Sequence, residues 1–322
     1  DQPTVTVKMD NYTYAGTVSS PSLSDAINEN AIVTYYYSTE NSTSGGTKWE
    51  GITATSLNAG DYYMYAVIAY TDNYNEKTTV TTKFTVEKAA QPEATVIMSG
   101  YTYDGTVSTP SLSAAMNESP TVTYYYSTSS TASGGTKWEG IGGKTLNAGK
   151  YYIYAVIDET TNYKSMTTGT TEFTVARADQ PTVSVTMSDY TYGGTVSSHG
   201  INTVMNETPT VTYYYSKTNS ASGGTEWKNI TAMSLDAGTY YMYAVIAETG
   251  NYSAKTTAAT QFVVAKADQP TVTVNMSGYT YAGTVSTPSL SGEVNENAVV
   301  TYYYSNTNST SGGMPPLVLF VL

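Results

Sequence analysis

The chain repeats itself every 89 residues, and that period constrains its fold more than any other feature. Asp1-Gln2-Pro3-Thr4-Val5 returns as Ala90-Gln91-Pro92, then as Asp179-Gln180-Pro181-Thr182-Val183 and Asp268-Gln269-Pro270-Thr271-Val272. Tyr35-Tyr36-Tyr37 returns as Tyr124-Tyr125-Tyr126, Tyr213-Tyr214-Tyr215 and Tyr302-Tyr303-Tyr304, and Trp49 as Trp138 and Trp227. Such a unit is too long for a helical solenoid repeat and has the length of a small domain with its own core. The expected organisation is therefore three complete repeats over 1–89, 90–178 and 179–267, with an incomplete fourth over 268–322.

Within a repeat the apolar period is two, which is the period of a strand. Val5, Val7 and Met9 alternate with Thr4, Thr6 and Lys8. Val33-Thr34-Tyr35-Tyr36-Tyr37, Tyr62 to Ile68 and Thr82-Lys83-Phe84-Thr85-Val86 are rich in β-branched and aromatic residues. Shorter strand candidates lie at Tyr12-Thr13-Tyr14 and Lys48 to Ile52, and turn residues such as Asn41 to Gly46 separate them. Only Leu23 to Ile27 suggests a helical turn. Six or seven short strands with polar turns predict an all-β chain of tandem β-sandwiches.

The fourth repeat follows the template through Ser311-Gly312-Gly313 and then turns into Met314-Pro315-Pro316 and the apolar Leu317 to Leu322. That tail is far shorter than the ~20 residues a helical membrane span needs. It also lacks a Leu-Pro-x-Thr-Gly sorting motif, so it reads as a truncation or frameshift. Asp1 opens directly on a repeat with no signal peptide, so the chain reads as a cut from a longer array. Half a sandwich is expected not to hold together by itself.

Leu57-Asn58-Ala59-Gly60-Asp61-Tyr62-Tyr63-Met64 resembles the tyrosine-corner segment of immunoglobulin-like domains, with Met64 where antibodies carry their second cysteine. In such a corner a buried tyrosine hydroxyl bonds backbone a few residues upstream. The corner tyrosines are then Tyr62, Tyr151 and Tyr240, expected to be largely buried, and the alternative is a plain glycine turn before a strand. With Tyr62 inward, Met64, Ala66 and Ile68 share its face, and Tyr63, Tyr65 and Val67 take the other.

Further segments widen the resemblance: Tyr14-Ala15-Gly16, Ala59-Gly60-Asp61-Tyr62, Asn73-Tyr74 and Phe84-Thr85-Val86-Glu87-Lys88-Ala89. In this order they are similar to the bacterial surface repeats called MBG or YDG domains. The second repeat departs with Tyr103-Asp104-Gly105 and Arg177-Ala178. The resemblance covers residues 1–313. It implies immunoglobulin-like modules in a large secreted or wall-attached bacterial protein of the adhesin kind, hence an extracellular, cell-surface location. Partners, as host or neighbouring-cell glycans or proteins, would then be met through other regions of the full protein. It carries over no catalytic residue.

Composition excludes several chemistries. There is no cysteine, so no disulfide and no thiolate metal site is possible. With 14 Lys+Arg against 26 Asp+Glu, the chain has no basic footprint for nucleic acid or an anionic membrane. The single histidine, His199, stands where Pro21, Pro110 and Pro288 stand in other repeats, which makes it a surface residue and no catalytic base. Glu29, Glu118, Glu207 and Glu296 each follow an asparagine and read as turn caps before the tyrosine strand. Asp72-Asn73 becomes Thr161-Asn162 and Gly250-Asn251, which leaves no dense oxygen cluster for calcium. No enzyme activity, metal or cofactor is implied. An intramolecular Lys–Asn cross-link is disfavoured, because Arg177 replaces Lys88 and Lys266, and Glu226 replaces Lys48 and Lys137.

The 33 tyrosines admit two readings. One is a binding strip for sugars or proteins, formed by Tyr36, Tyr63, Tyr65, Tyr125, Tyr152, Tyr154, Tyr214, Tyr241 and Tyr243. The other is that a small sandwich uses tyrosine to cover its sheet faces; recurrence in every repeat favours this one. Two functions remain: a structural stalk that holds an adhesive tip away from a cell, and a multivalent glycan- or protein-binding module. The missing carboxylate cluster also predicts a melting temperature that is the same in millimolar calcium and in chelator; a steep rise with calcium contradicts it.

Overall fold

The computed structural model describes residues 1–308, 310 and 312–314, so the apolar tail Leu317 to Leu322 lies outside the described residues. The chain divides into two compact units, Asp1–Gln180 with Glu248–Ala254, and Pro181–Ala247 with Lys255–Leu322.

The first unit opens with eight strands in the first repeat. They are β1 (Val7–Lys8), β2 (Tyr12–Thr13), β3 (Ser22–Leu23), β4 (Val33–Ser38), β5 (Thr47–Lys48), β6 (Gly60–Ile68), β7 (Lys77–Thr78) and β8 (Thr82–Glu87). One layer runs β2-β8-β6-β4-β5 with β7 paired to β6, and the other is the pair β1-β3. First and last strands of the large layer, β2 and β8, pair in parallel; its other pairs are antiparallel. The second repeat reproduces this pairing 89 residues on: Gly149–Ile157 lies between Val122–Ser127 and Thr171–Ala176. The repeats are two-layer, immunoglobulin-like β-sandwiches, but lopsided, with six strands facing two.

Alternation along β6 explains the core. Met64, Ala66 and Ile68 are fully buried on one face, where Val7 of the small layer and Phe84 and Val86 of β8 pack with Met64 and Ala66. Trp49 stands edge-on to Phe84 with ring centres 5.8 Å apart, and Tyr62 stacks on the same ring at 5.5 Å. One aromatic knot thus ties β5's end, β6 and β8. The helical turn comes later than the sequence suggests. Ser22–Leu23 is strand, paired with β1, and the turn occupies Asn28–Asn30. Glu29 takes a left-handed φ of 52° there, with Glu118 at 56° and Glu207 at 57°.

The other face of β6 corrects the binding-strip expectation. Tyr65, Tyr154 and Tyr243 are each only 4% exposed. Each ring stacks on a neighbour in β4 or its counterpart, Tyr36, Tyr125 or Tyr214, at 5.3, 5.6 and 5.4 Å. The loop after that strand then folds over them, and Gly46 N–H donates to Tyr65 Oη at 3.3 Å. A Cβ at Gly46 would lie 2.9 Å from the Tyr65 ring, so glycine is what lets the loop close on it. Tyr36, Tyr63, Tyr125, Tyr152, Tyr214 and Tyr241 are half-buried.

In the second unit the third repeat has the same order: Gly238–Ile246 lies between Val211–Ser216 and Thr260–Ala265, under the pair Val185–Met187 and His199–Ile201. His199 is exposed, and its ring meets Tyr213 edge-on at 4.6 Å. Among the described residues from 268 on there is a short ladder, Val274–Asn275 with Ser289–Leu290, a turn at Asn295–Asn297 and a single bridge between Tyr304 and Met314. Val274, Tyr281 and Val299 there are 60%, 101% and 95% exposed, because among the described residues no counterpart of β6 or β8 covers them.

The third repeat offers an internal comparison of two tyrosine hydroxyls. Tyr240 Oη donates to Asp236 O at 3.0 Å, whereas Tyr190 Oη is buried without a hydrogen-bond partner. Tyr240→Phe is expected to cost about 1 kcal/mol, a typical net hydrogen bond. Tyr190→Phe is expected to leave the denaturation midpoint unchanged or raised, since it removes a desolvated group and no bond. A larger loss at Tyr190 than at Tyr240 contradicts both assignments.

Candidate functional site

The corner geometry is the base on which the site is built. Tyr62 Oη donates to Asn58 O at 3.0 Å, and Tyr151 Oη to Asn147 O at 3.1 Å, as Tyr240 does to Asp236. Only Tyr240 is almost fully buried, at 3%; Tyr62 and Tyr151 are half-buried, less than the sequence suggested. Burial raises the pKa of all three phenols, and at Tyr240 the Asp236 carboxylate adds to it. The bond pins the loop residues Asn58-Ala59 just ahead of β6, so that Asn58 Oδ1 and Ala59 N–H face outward.

Those outward groups take an asparagine from the next repeat. Asn162 lies in the loop after Gly149–Ile157, is 4% exposed, and has every polar group engaged. Its Oδ1 accepts from Ala59 N at 2.7 Å, and its Nδ2 donates to Asn58 Oδ1 at 3.1 Å. The Nδ2 also donates to Glu118 Oε1 at 2.6 Å, and the Asn162 N–H to Glu118 Oε2 at 3.0 Å. Its carbonyl accepts from Ala89 N at 2.8 Å. Next to it Lys164 N donates to Ala89 O at 2.8 Å, which makes a short parallel bridge between the end of one repeat and this loop. Tyr163 sets its ring edge-on to Tyr14, 5.7 Å apart. Lys88 Nζ closes the rim, 2.8 Å from Thr160 O and 3.1 Å from the Glu159 carboxylate.

The same lock recurs within the first unit, where residues 248–254 fill the corresponding place on the second repeat. Ala148 N donates to Asn251 Oδ1 at 2.7 Å, and Asn251 Nδ2 to Asn147 Oδ1 at 3.1 Å. Ala178 N donates to Asn251 O at 2.9 Å, and Ser253 N to Ala178 O at 2.8 Å. Tyr252 stands edge-on to Tyr103 at 5.7 Å. Arg177 does the work of Lys88, with Nε 3.0 Å from Thr249 O and Nη1 3.1 Å from Glu248. This explains why that position interchanges lysine and arginine: it needs a cation that donates to a carbonyl and meets an acid.

Sequence reasoning found the Asn-Tyr pair and the recurring Glu but did not join them. Glu118 is more than a turn cap; its carboxylate holds the asparagine of a loop 44 residues away. The available signal was their recurrence at one period, 29, 118, 207 and 296 for Glu against 73, 162 and 251 for Asn. Hydrogen bonds from Thr160 and then Asn162 hold the Glu118 carboxyl below its ordinary range. A depressed carboxylate stabilises above its unfolded pKa, near 4.3, and that stabilisation is lost as pH falls through the folded value. Among the described residues no three His, Asp or Glu side chains gather as a metal site needs, and no helix is long and apolar enough to cross a membrane.

Asn162→Ala is expected to orphan the Ala59 amide, a loss of about 1–3 kcal/mol locally. Hydrogen exchange should then speed at Ala59 by tenfold or more while Ala66, inside β6, keeps its protection. In the unaltered chain the Ala59 protection factor, taken against the unfolded-chain rate at each pH, should fall on acidification below about pH 4, and Glu118→Gln should flatten that dependence. Equal protection at Ala59 in all of these rejects the lock.

No protein-family model matches the chain, and no curated protein matches it. Among solved structures it is similar to the crystal structure of Sidekick-1 immunoglobulin domains 1–4, at 13% identity over 84% of this chain and 76% of that one, with a TM-score of 0.21. At that score the immunoglobulin-like assignment rests on the chain's own strand pairing and corner hydrogen bond.

Proposed function

We propose that the chain is a spacer, a stalk segment of a secreted or surface-attached bacterial protein of the adhesin kind, whose work is mechanical. The observation that supports this best is the caged asparagine. Each of the two Asn-Tyr loops seated on a preceding repeat, at Asn162 and Asn251, is held through the same backbone and side-chain atoms. A junction that uses up every polar group of a buried asparagine resists bending and needs no metal ion, which suits a repeating strut. The Lys88–Glu159 and Arg177–Glu248 pairs at the rim add charge pairing that salt screens only partly. Partners of the parent protein would be glycans or proteins met elsewhere than on these repeats.

The second reading, a multivalent tyrosine surface for glycans, keeps six half-buried candidates: Tyr36, Tyr63, Tyr125, Tyr152, Tyr214 and Tyr241. Three of these already stack on a buried tyrosine, which removes one ring face from any ligand. A glycan array probed with the 322-residue chain separates the readings, and the spacer reading expects no selective binding. Under force the spacer should unfold in equal steps of about 300 Å, the extended reach of one 89-residue repeat. Selective sugar binding abolished by Tyr63→Ala or Tyr152→Ala, or a single unfolding step, rejects it.

A further inference from the structure

A repeat that works by holding its length under load is only as strong as the seam its load must cross, and the three repeats differ at that seam. In the first repeat β2 and β8 lie side by side and parallel, Tyr12 against Val86 and Thr13 against Glu87. Tension that enters ahead of β2 and leaves after β8 pulls the two strands in opposite directions along one axis, so their bonds share the load. On its other side β8 is tied to β6 over five residue pairs, against two to β2, so the β2–β8 seam gives first. Tyr14 N–H donates across it to Glu87 O at 2.9 Å. Tyr101–Thr102 and Tyr190–Thr191 pair in parallel with the last strands of their own repeats, and Tyr103 and Tyr192 repeat the bond at 2.8 and 2.9 Å.

What differs is one side chain. Asn11, just ahead of β2, accepts the Thr85 N–H of β8 on its Oδ1 at 2.7 Å, and in the third repeat Asp189 accepts Val263 N–H in the same way at 2.7 Å. The second repeat has Gly100 at this place, where a Cβ would lie 2.5 Å from Thr174 O, so the chain runs too close to its last strand to carry such a side chain. We propose that Asn11 and Asp189 are pegs that strengthen the seam under tension, and that the second repeat, which has no peg, is the link that yields first. This rests on the spacer reading and adds an order of yielding to it. The peg of the third repeat is a carboxylate, a stronger acceptor than an amide, so resistance rises from second to first to third. The remaining seam bonds do not set this order, because all three repeats have them: Thr82, Thr171 and Thr260 hydroxyls donate to Val7 O, Val96 O and Val185 O. Yielding of the second repeat lengthens the chain by about 300 Å while the first and third stay folded.

The test is single-molecule stretching of the full chain at constant force. An insertion of about 20 Gly and Ser residues after Thr131 marks the second repeat with a step about 70 Å longer than the others. The long step is expected first. Moving the insertion to the matching place after Ser42 marks the first repeat instead, and the long step should then leave first place. Asn11→Ala should make the first repeat unfold roughly fivefold faster at the same force, the effect of one typical net hydrogen bond lost before the barrier. Asp189→Ala should speed the third repeat by more, and Asp189→Asn, which keeps an acceptor, by less. Both residues are exposed, so these changes leave the core intact. Asp61→Ala is the control: it removes a 2.8 Å bond from the Thr85 hydroxyl on the β6 side of β8 and should leave the rates alone. The proposal is overturned if the second repeat does not unfold first, if Asn11→Ala and Asp189→Ala leave the rates unchanged, or if Asp61→Ala matches Asn11→Ala. In each of those outcomes the separate steps remain and the spacer reading stands, whereas a single step overturns that reading instead.

Discussion

The hydrogen bond from the Tyr62 hydroxyl to the Asn58 carbonyl is small, but the rest of the structure leans on it. It fixes the loop entering β6, and β6 is the strand on which the core is built. With Tyr62 inward and stacked on Phe84, the strict alternation of the strand sends Met64, Ala66 and Ile68 into the same dry interior. A net bond of about 1 kcal/mol would matter little by itself. Here it sets a loop whose side chain and amide are the docking groups for a neighbour.

One element thus serves two levels. The Asn58 carbonyl faces its own tyrosine and closes the corner, while its side chain and the Ala59 amide face the next repeat. The Asn-Tyr loop is organised on its own side by Glu118, which presents the asparagine amide at a fixed angle. Neither half needs to reorganise on meeting the other, which lowers the entropy lost in docking. Such a junction can be copied along a chain without redesign, because the second repeat carries both a plug, Asn162, and a receptor, Asn147-Ala148.

The tyrosines show how sheet chemistry can imitate a binding surface. A strand reading Tyr-Tyr-Met-Tyr must send some tyrosines away from the core, and by alternation alone Tyr65 is one of them. Its ring is nonetheless covered, since the glycine-bearing loop after β4 folds over it and donates an amide to its hydroxyl. Tyrosine suits that place because its ring buries apolar area while its tip still takes a hydrogen bond.

The sequence alone determined the period, the all-β class, the alternation in β6 and the place of the corner, because these depend on neighbours in the chain. A two-residue pleat and a tyrosine four positions after its acceptor are both local facts. What only the tertiary structure decided are contacts between residues far apart: the covering of Tyr65 by a loop 19 residues before it, and the grip of Glu118 on Asn162 across 44. The meeting of Asn162 with Ala59, 103 residues away, belongs with them. Periodicity records which face a side chain takes, but it holds no information about which loop folds back over that face. For that reason Glu118 read as a turn cap in the sequence, and became half of a junction only when the fold brought the Asn-Tyr loop to it.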